Sequence, residues 1–119
     1  MKDIIDCPAE RAVYFIGGKW KIRILFNLSR KKKVRFGELK RNLKTITQQM
    51  LSKQLKELEQ DGIVNRKVYQ IVPPKVEYSL TEFGNSLIPI LRSFSDWNKR
   101  NSRTILFKLN KNFEEDRIR

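Results

Sequence analysis

Histidine is absent from this chain, and cysteine occurs once, at Cys7. A zinc site or Cys/His catalysis within one chain is thereby excluded, as is an internal disulfide. Acidic residues are scarce, with 13 Asp and Glu against 26 Lys and Arg, a net charge of +13. No apolar run approaches the roughly 18 residues that a membrane-spanning helix needs. The opening MKDIIDCPAE lacks the basic and apolar regions of a signal peptide, so a cytoplasmic chain is expected. No carboxylate pair or nucleophile–base arrangement stands out. Gly17-Gly18-Lys19 lacks the G-x-x-x-x-G-K-[ST] spacing of a phosphate loop and reads as a helix stop. No enzymatic activity, cofactor or metal is expected.

What remains is a small basic chain. Its 119 residues suit one domain. A chain this size buries roughly 65% of its unfolded surface, enough for one modest core. With 39% apolar and 33% charged residues, that core is lean, and a partner subunit is expected to complete it. The basic excess favours a polyanionic partner, either nucleic acid or an anionic membrane surface.

Cys7-Pro8 can open a first helix, because proline suits the first helical position. That helix carries Ala12, Val13, Phe15 and Ile16 and should stop at Gly17-Gly18. A second helix, about Lys19 to Leu28, has apolar residues on most faces and should be central. A basic connection follows, with a β-prone piece at Val34-Arg35-Phe36. Phe36, Leu39 and Leu43 give a third helix its apolar side. Thr47 is the best N-cap of a fourth, which Gly62 ends. Beyond Ile63 the period changes to two, with Val64, Arg66 and Val68 alternating against Asn65, Lys67 and Tyr69, and then Val76, Tyr78 and Leu80. Pro73-Pro74 marks the intervening loop. Thr81 should cap a further helix in which Phe83, Leu87, Leu91, Phe94 and Trp97 lie near one face and Pro89 introduces a bend. From Thr104 onward the pattern fits an extension, a separate short helix or a frayed tail. The reading is an α+β winged helix-turn-helix with additional N- and C-terminal dimerisation helices. Residues 7–105 form the domain and residues 106–119 a tail.

The fourth helix carries the functional argument. Leu51, Leu55 and Leu58 form one apolar stripe, core under any hypothesis, while Gln49, Ser52, Lys53 and Lys56 project from the other side. A face meant only for solubility would favour Glu and Lys. Thr45, Gln48, Gln49 and Ser52 can instead both donate to and accept from base edges. Thr47, Gln48, Gln49 and Ser52 are the expected base readers, and Lys53 and Lys56 the phosphate holders. From Lys19 to Lys44 there are 11 basic residues and one acid, Glu38. Some of these cations, Arg35 among them, are expected on phosphates, where they raise affinity without choosing sequence. Lys67, Gln70 and Lys75 on the hairpin are candidates for phosphate or minor-groove contact.

Cys7-Pro8, Gly17-Gly18-Lys19-Trp20, Arg35-Phe36 with Glu38-Leu39, and Leu55-x-x-Leu58-x-x-x-Gly62 occur in this order. Pro73-Pro74-x-Val76-Glu77-Tyr78 and Leu80-Thr81-x-x-Gly84 follow them. Together they resemble the HxlR-type branch of the MarR-like winged-helix transcription regulators, over about Cys7 to Trp97. The resemblance implies a dimeric bacterial regulator of transcription that binds double-stranded DNA and dimerises through its terminal helices. It also implies a role for an N-terminal cysteine, which in several branches senses electrophiles or oxidants.

Cys7 lies ahead of a helix whose unpaired N–H groups favour a thiolate, although Asp3, Asp6 and Glu10 oppose it. As a redox sensor, Cys7 could form an intersubunit disulfide, a mixed disulfide or an electrophile adduct. As a bland residue, it would only begin a helix. Trp20, Phe94 and Trp97 could line an aromatic pocket, but such spacing more often marks core or interface. Phe15, Leu87, Leu91, Phe94 and Trp97 are therefore assigned to a homodimer interface. The expectation is a sequence-specific repressor on a palindromic operator, located at the nucleoid and not at a membrane. The alternative is a winged-helix RNA-binding or protein-interaction module without operator specificity.

Overall fold

The computed structural model describes residues 6–118, with side-chain exposure described for residues 6–111. Among these, the elements run α1 (Pro8–Tyr14), α2 (Lys21–Arg30), β1 (Val34–Arg35), α3 (Phe36–Leu43) and α4 (Gln48–Gln60). The hairpin strands β2 (Val64–Tyr69) and β3 (Lys75–Leu80) come next, followed by α5 (Glu82–Arg100) and α6 (Ser102–Ile118). The result is an α+β winged helix-turn-helix flanked by helices at both ends. Two compact units meet within α5, one running to Ile88 and the other beginning at Pro89.

In the first unit, α2, α3 and α4 each turn a stripe of aliphatic residues inward. Ile24, Leu25 and Leu28 of α2, Leu39 and Leu43 of α3, and Leu51, Leu55 and Leu58 of α4 are all buried. Removing such side chains from water is the dominant favourable contribution to folding. The antiparallel sheet has the order β1-β3-β2, with Val34 opposite Tyr78 and Val64 opposite Leu80. Ile46, in the turn between α3 and α4, is also buried and fixes that turn to the core.

Local chemistry explains most element ends. The Thr47 hydroxyl accepts from the Met50 N–H at 3.1 Å and starts α4. Gly62, at φ 74°, lets the chain leave α4 through the left-handed region. Thr81 begins α5: its hydroxyl accepts from the Gly84 N–H at 2.9 Å and donates to the Gly62 carbonyl at 2.6 Å. Gly84 itself packs so closely on the Ile63 carbonyl that an added Cβ would lie 2.2 Å from that oxygen. The Leu80-Thr81-x-x-Gly84 run therefore ties the start of α5 to the end of the α4–β2 turn.

Several expectations need correction. The first helix ends at Tyr14, before Gly17-Gly18, and Ala12 and Val13 are exposed while Ile16 is buried beyond its end. The second begins at Lys21 and is buried along one stripe only; Trp20 precedes it, with Lys19 and Arg23 against its ring. Alternation in β2 does not create an inward face along its whole length. Val64 is buried but Val68 is 48% exposed: Val64 is the one buried residue of β2, while β3 still reaches the core at Tyr78 in the third pair.

The second unit holds the rest of α5 and α6. Pro89 lies inside α5, which continues to Arg100. Of the readings left open beyond Thr104, a separate helix is nearest, but α6 begins at Ser102 and at 17 residues is not short. Its start is marked at Asn101, whose side-chain amide donates to the Trp97 carbonyl at 2.9 Å. Among the described residues, no helix is long and apolar enough to cross a membrane.

Candidate nucleic-acid interface

Helix α4 presents four longitudinal strips. The leucine stripe is buried. On one flank Glu57 pairs with Lys21 of α2 at 2.9 Å, and on the other Ser52, Lys56 and Glu59 border a groove shared with β2 and β3. Between these flanks Gln49 and Lys53 stand free, and Gln48 is exposed at the helix start. Of the predicted readers and holders, Gln48, Gln49, Ser52, Lys53 and Lys56 are all exposed on α4. Thr45 is exposed in the preceding turn, where Lys44 takes a left-handed φ of 60°. Such a conformation strains a residue with a side chain, and it directs the chain from α3 into α4. Thr47 is also exposed, but its oxygen is engaged as the helix cap. Its proton and its second lone pair remain available.

The Lys21–Glu57 pair fixes α4 against α2 and holds the Glu57 carboxyl below its ordinary value of 4.5, chiefly through the hydrogen bond from Lys21. This pair answers two questions left by composition. Lys21 of the basic window is occupied by an internal partner, and Glu57 is turned aside from the polar face. Lys31 is likewise taken, by Glu38 at 2.6 Å.

The hairpin residues form a second cluster. Arg35, Glu77 and Lys67 are cross-strand neighbours, so they share one face of the sheet, and Lys75 pairs with Tyr69 in the next same-face row. The Lys67 and Lys75 ammonium groups sit 4.9 and 5.0 Å from the Tyr69 ring centroid. Lys33 donates to the Tyr69 hydroxyl at 3.4 Å. The Tyr69 hydroxyl, followed by the surrounding cations, keeps the Glu77 carboxyl below its ordinary value. Gln70 lies exposed past the end of β2. The cluster has several cations around one carboxylate, a surface with a preference for anions.

The structure does not merge the two clusters into one continuous face. Lys67 and Lys75 belong to the face opposite the one that carries Arg66 and Tyr78, and these last two border the groove beside α4. Sequence reasoning gave Arg66 and Tyr69 no site role, and it held Lys33 only as one of the 11 cations between Lys19 and Lys44. The period-two pattern could have separated Arg66 from Lys67, but only strand register shows which of them adjoins α4.

Cys7 is a free, exposed thiol at the N-cap of α1. Its sulfur makes no capping hydrogen bond. Phe15 is half-buried and meets Phe83 edge-on, with ring centroids 5.5 Å apart. Leu87 and Leu91 are 8% and 1% exposed within the single chain, so they do not require a partner for cover. Phe94 and Trp97, at 51% and 56%, remain open. Among the described residues, no group of three His, Cys, Asp or Glu could hold a metal.

A capped helix with a free polar face, set behind a fixed turn and beside a hairpin, defines a winged helix-turn-helix module. A model of HxlR-like helix-turn-helix proteins matches residues 15–105. An uncharacterized HTH-type transcriptional regulator of Halalkalibacterium halodurans is 50% identical over 101 residues, spanning 85% of this chain and 89% of the relative. The redox regulator HypR in its reduced form superposes with a TM-score of 0.79 at 49% identity, covering 86% of this chain and 99% of HypR. The reduced transcriptional regulator YodB from Bacillus subtilis gives a TM-score of 0.72 at 36% identity, covering 81% and 94%. The chain belongs to the HxlR-like helix-turn-helix family of transcription regulators.

Proposed function

We propose that this protein is a sequence-specific repressor that binds double-stranded DNA as a homodimer on a palindromic operator. The observation that carries the reading is the α4 surface, where Gln48, Gln49 and Ser52 are exposed beside Lys53 and Lys56. In this reading α4 enters the major groove. Glutamine suits bidentate contact with adenine, and the lysines neutralise flanking phosphates. Thr45 and the Thr47 proton reach the edge of the site, while Arg35, Lys67, Gln70 and Lys75 approach the backbone where the wing flanks it. Residues 7–105 act as the regulatory domain, and a pair of them spans two half-sites about 34 Å apart. The working location is the nucleoid in the cytoplasm. Oxidants or electrophiles act through Cys7, a reading supported by its exposed thiol and by the likeness to a redox regulator.

Selection of bound duplexes from a random library tests the centre of this proposal. Wild type should enrich an inverted repeat, and Gln49→Ala should lose preference at particular base pairs at a cost of about 1–3 kcal/mol. Lys53→Ala should weaken specific and non-specific duplexes alike. Failure to enrich any motif, together with efficient competition by RNA, would favour the RNA-binding alternative.

A further inference from the structure

Two elements that occupy neighbouring grooves of a duplex must straddle the phosphodiester strand between those grooves. If α4 reads the major groove and the hairpin flanks the minor groove, their junction faces that strand. This inference rests on the DNA-binding reading above. At the junction is an open groove of about 360 Å3, lined by Ser52, Leu55, Lys56, Glu59, Arg66 and Tyr78.

The two walls have definite origins. Ser52, Lys56 and Glu59 are one turn apart along the flank of α4 next to Leu55. Arg66 lies opposite Tyr78 in the β2–β3 ladder, so the two share a face, and Val34 opposite Tyr78 on the other side belongs to that same face. Lys67 and Lys75 are on the reverse face with Tyr69 and cannot line this groove. Arg66 and Lys56 are exposed, and neither has an ion-pair partner among the described residues.

We propose that this groove is a subsite for one DNA backbone phosphate per protomer, with Arg66 as its principal ligand. Guanidinium has the fork geometry that suits two phosphate oxygens at once. Lys56 supplies a second positive charge from the opposite wall, and the Ser52 hydroxyl a neutral donor. Glu59 sits two turns beyond Ser52 on the same flank, so it limits the phosphate to the Ser52–Lys56 end. Holding this phosphate fixes the distance between wing and reading helix, and Arg66 thereby positions α4 without touching a base.

A methylphosphonate scan tests the subsite. Duplexes carrying the site selected by wild type are made with single phosphates replaced by the neutral methylphosphonate. Wild type should be sensitive at several positions, among them one in each half-site, beside the junction of α4 and the hairpin, where replacement weakens binding about tenfold or more. Arg66→Gln should bind unmodified duplex about tenfold more weakly, ignore replacement at that position and stay sensitive elsewhere. Its salt slope should fall by about 0.9 for each phosphate that the variant leaves un-neutralised. Glu59→Gln should tighten binding and steepen that slope. Because Arg66 is exposed, its variant is expected to melt with wild type, and a shared melting temperature is the control. An Arg66→Gln protein that keeps wild-type affinity, or the wild-type scan profile, overturns the subsite and leaves the reading role of α4 intact. A wild type that selects no duplex overturns both.

Discussion

Glu57 joins α4 to α2 through one partly exposed ion pair, beside the buried leucines that hold the helix in place. Its carboxyl, drawn down by Lys21, favours the folded state above the ordinary value of 4.5, and the benefit disappears as pH falls through the lowered folded value. The Glu57 side chain is 38% exposed, so solvent screens the pair and its energy is at the small end for such contacts. Lys21→Met should move the Glu57 titration upward toward 4.5, as read by carboxyl NMR. Glu57→Gln should flatten the loss of stability on acidification below that value. A Glu57 titration unmoved by Lys21→Met would mean that the pair does not persist in solution. Cys7 is the second residue whose role can be isolated. Since its sulfur caps nothing, Cys7→Ser should alter stability by less than about 0.5 kcal/mol. Diamide or a quinone should weaken DNA binding by wild type tenfold or more and leave Cys7→Ser unaffected. Unchanged binding by fully modified wild type would exclude Cys7 as the sensor.

The elements owe their ends to a few polar contacts. At α5, Thr81 satisfies the Gly84 N–H and also reaches back to the Gly62 carbonyl, so one hydroxyl joins a helix start to a helix exit. Thr81→Ala should cost about 1–2 kcal/mol in urea unfolding, in the range of a missing cap. Gly84→Ala should cost about 1–3 kcal/mol or more, because the new methyl meets backbone oxygen, which cannot swing aside. A neutral Gly84→Ala would show that α5 can move off Ile63 freely. The hairpin has a different logic. Its ladder extends through six cross-strand pairs from Val64–Leu80 to Tyr69–Lys75, yet most of β2 faces water. Backbone pairing and the Tyr69 cluster sustain it past the point where the core stops.

For the molecule as a whole, charge and uncovered apolar surface point to two kinds of association. A net charge of +13 serves any polyanion, and its effect should fade with salt. Apolar exposure is concentrated in the unit beginning at Pro89, where Phe94, Trp97, Leu106 and Phe107 are all more than half exposed. Such a surface is costly to leave in water, and a second copy of the chain is the proposed cover. Wild type should sediment as a dimer at micromolar concentration. Phe94→Glu with Trp97→Glu should sediment as a monomer and bind the two-half-site operator more weakly. A monomeric wild type, with or without DNA, would remove the dimer from the proposal.

Local physics made much of this protein legible in its sequence. Thr47 begins α4, Gly62 ends it, and the period-two segments around Pro73-Pro74 become β2 and β3, because caps, left-handed turns and alternation depend on near neighbours. The polar face of α4 was legible for the same reason. The residue pattern gave no account of what covers a face once it exists. Leu87 and Leu91 have the same apolar character as Phe94 and Trp97, yet the first pair is buried and the second is open. Arg66 and Lys67 are adjacent in the chain, but strand register puts Arg66 beside α4 and Lys67 beside Tyr69. Lys21 and Glu57 are 36 positions apart, and only tertiary packing brings their charges together. Periodicity is a short-range property of the chain, whereas cover, register and charge pairing are set by contacts between segments remote in sequence.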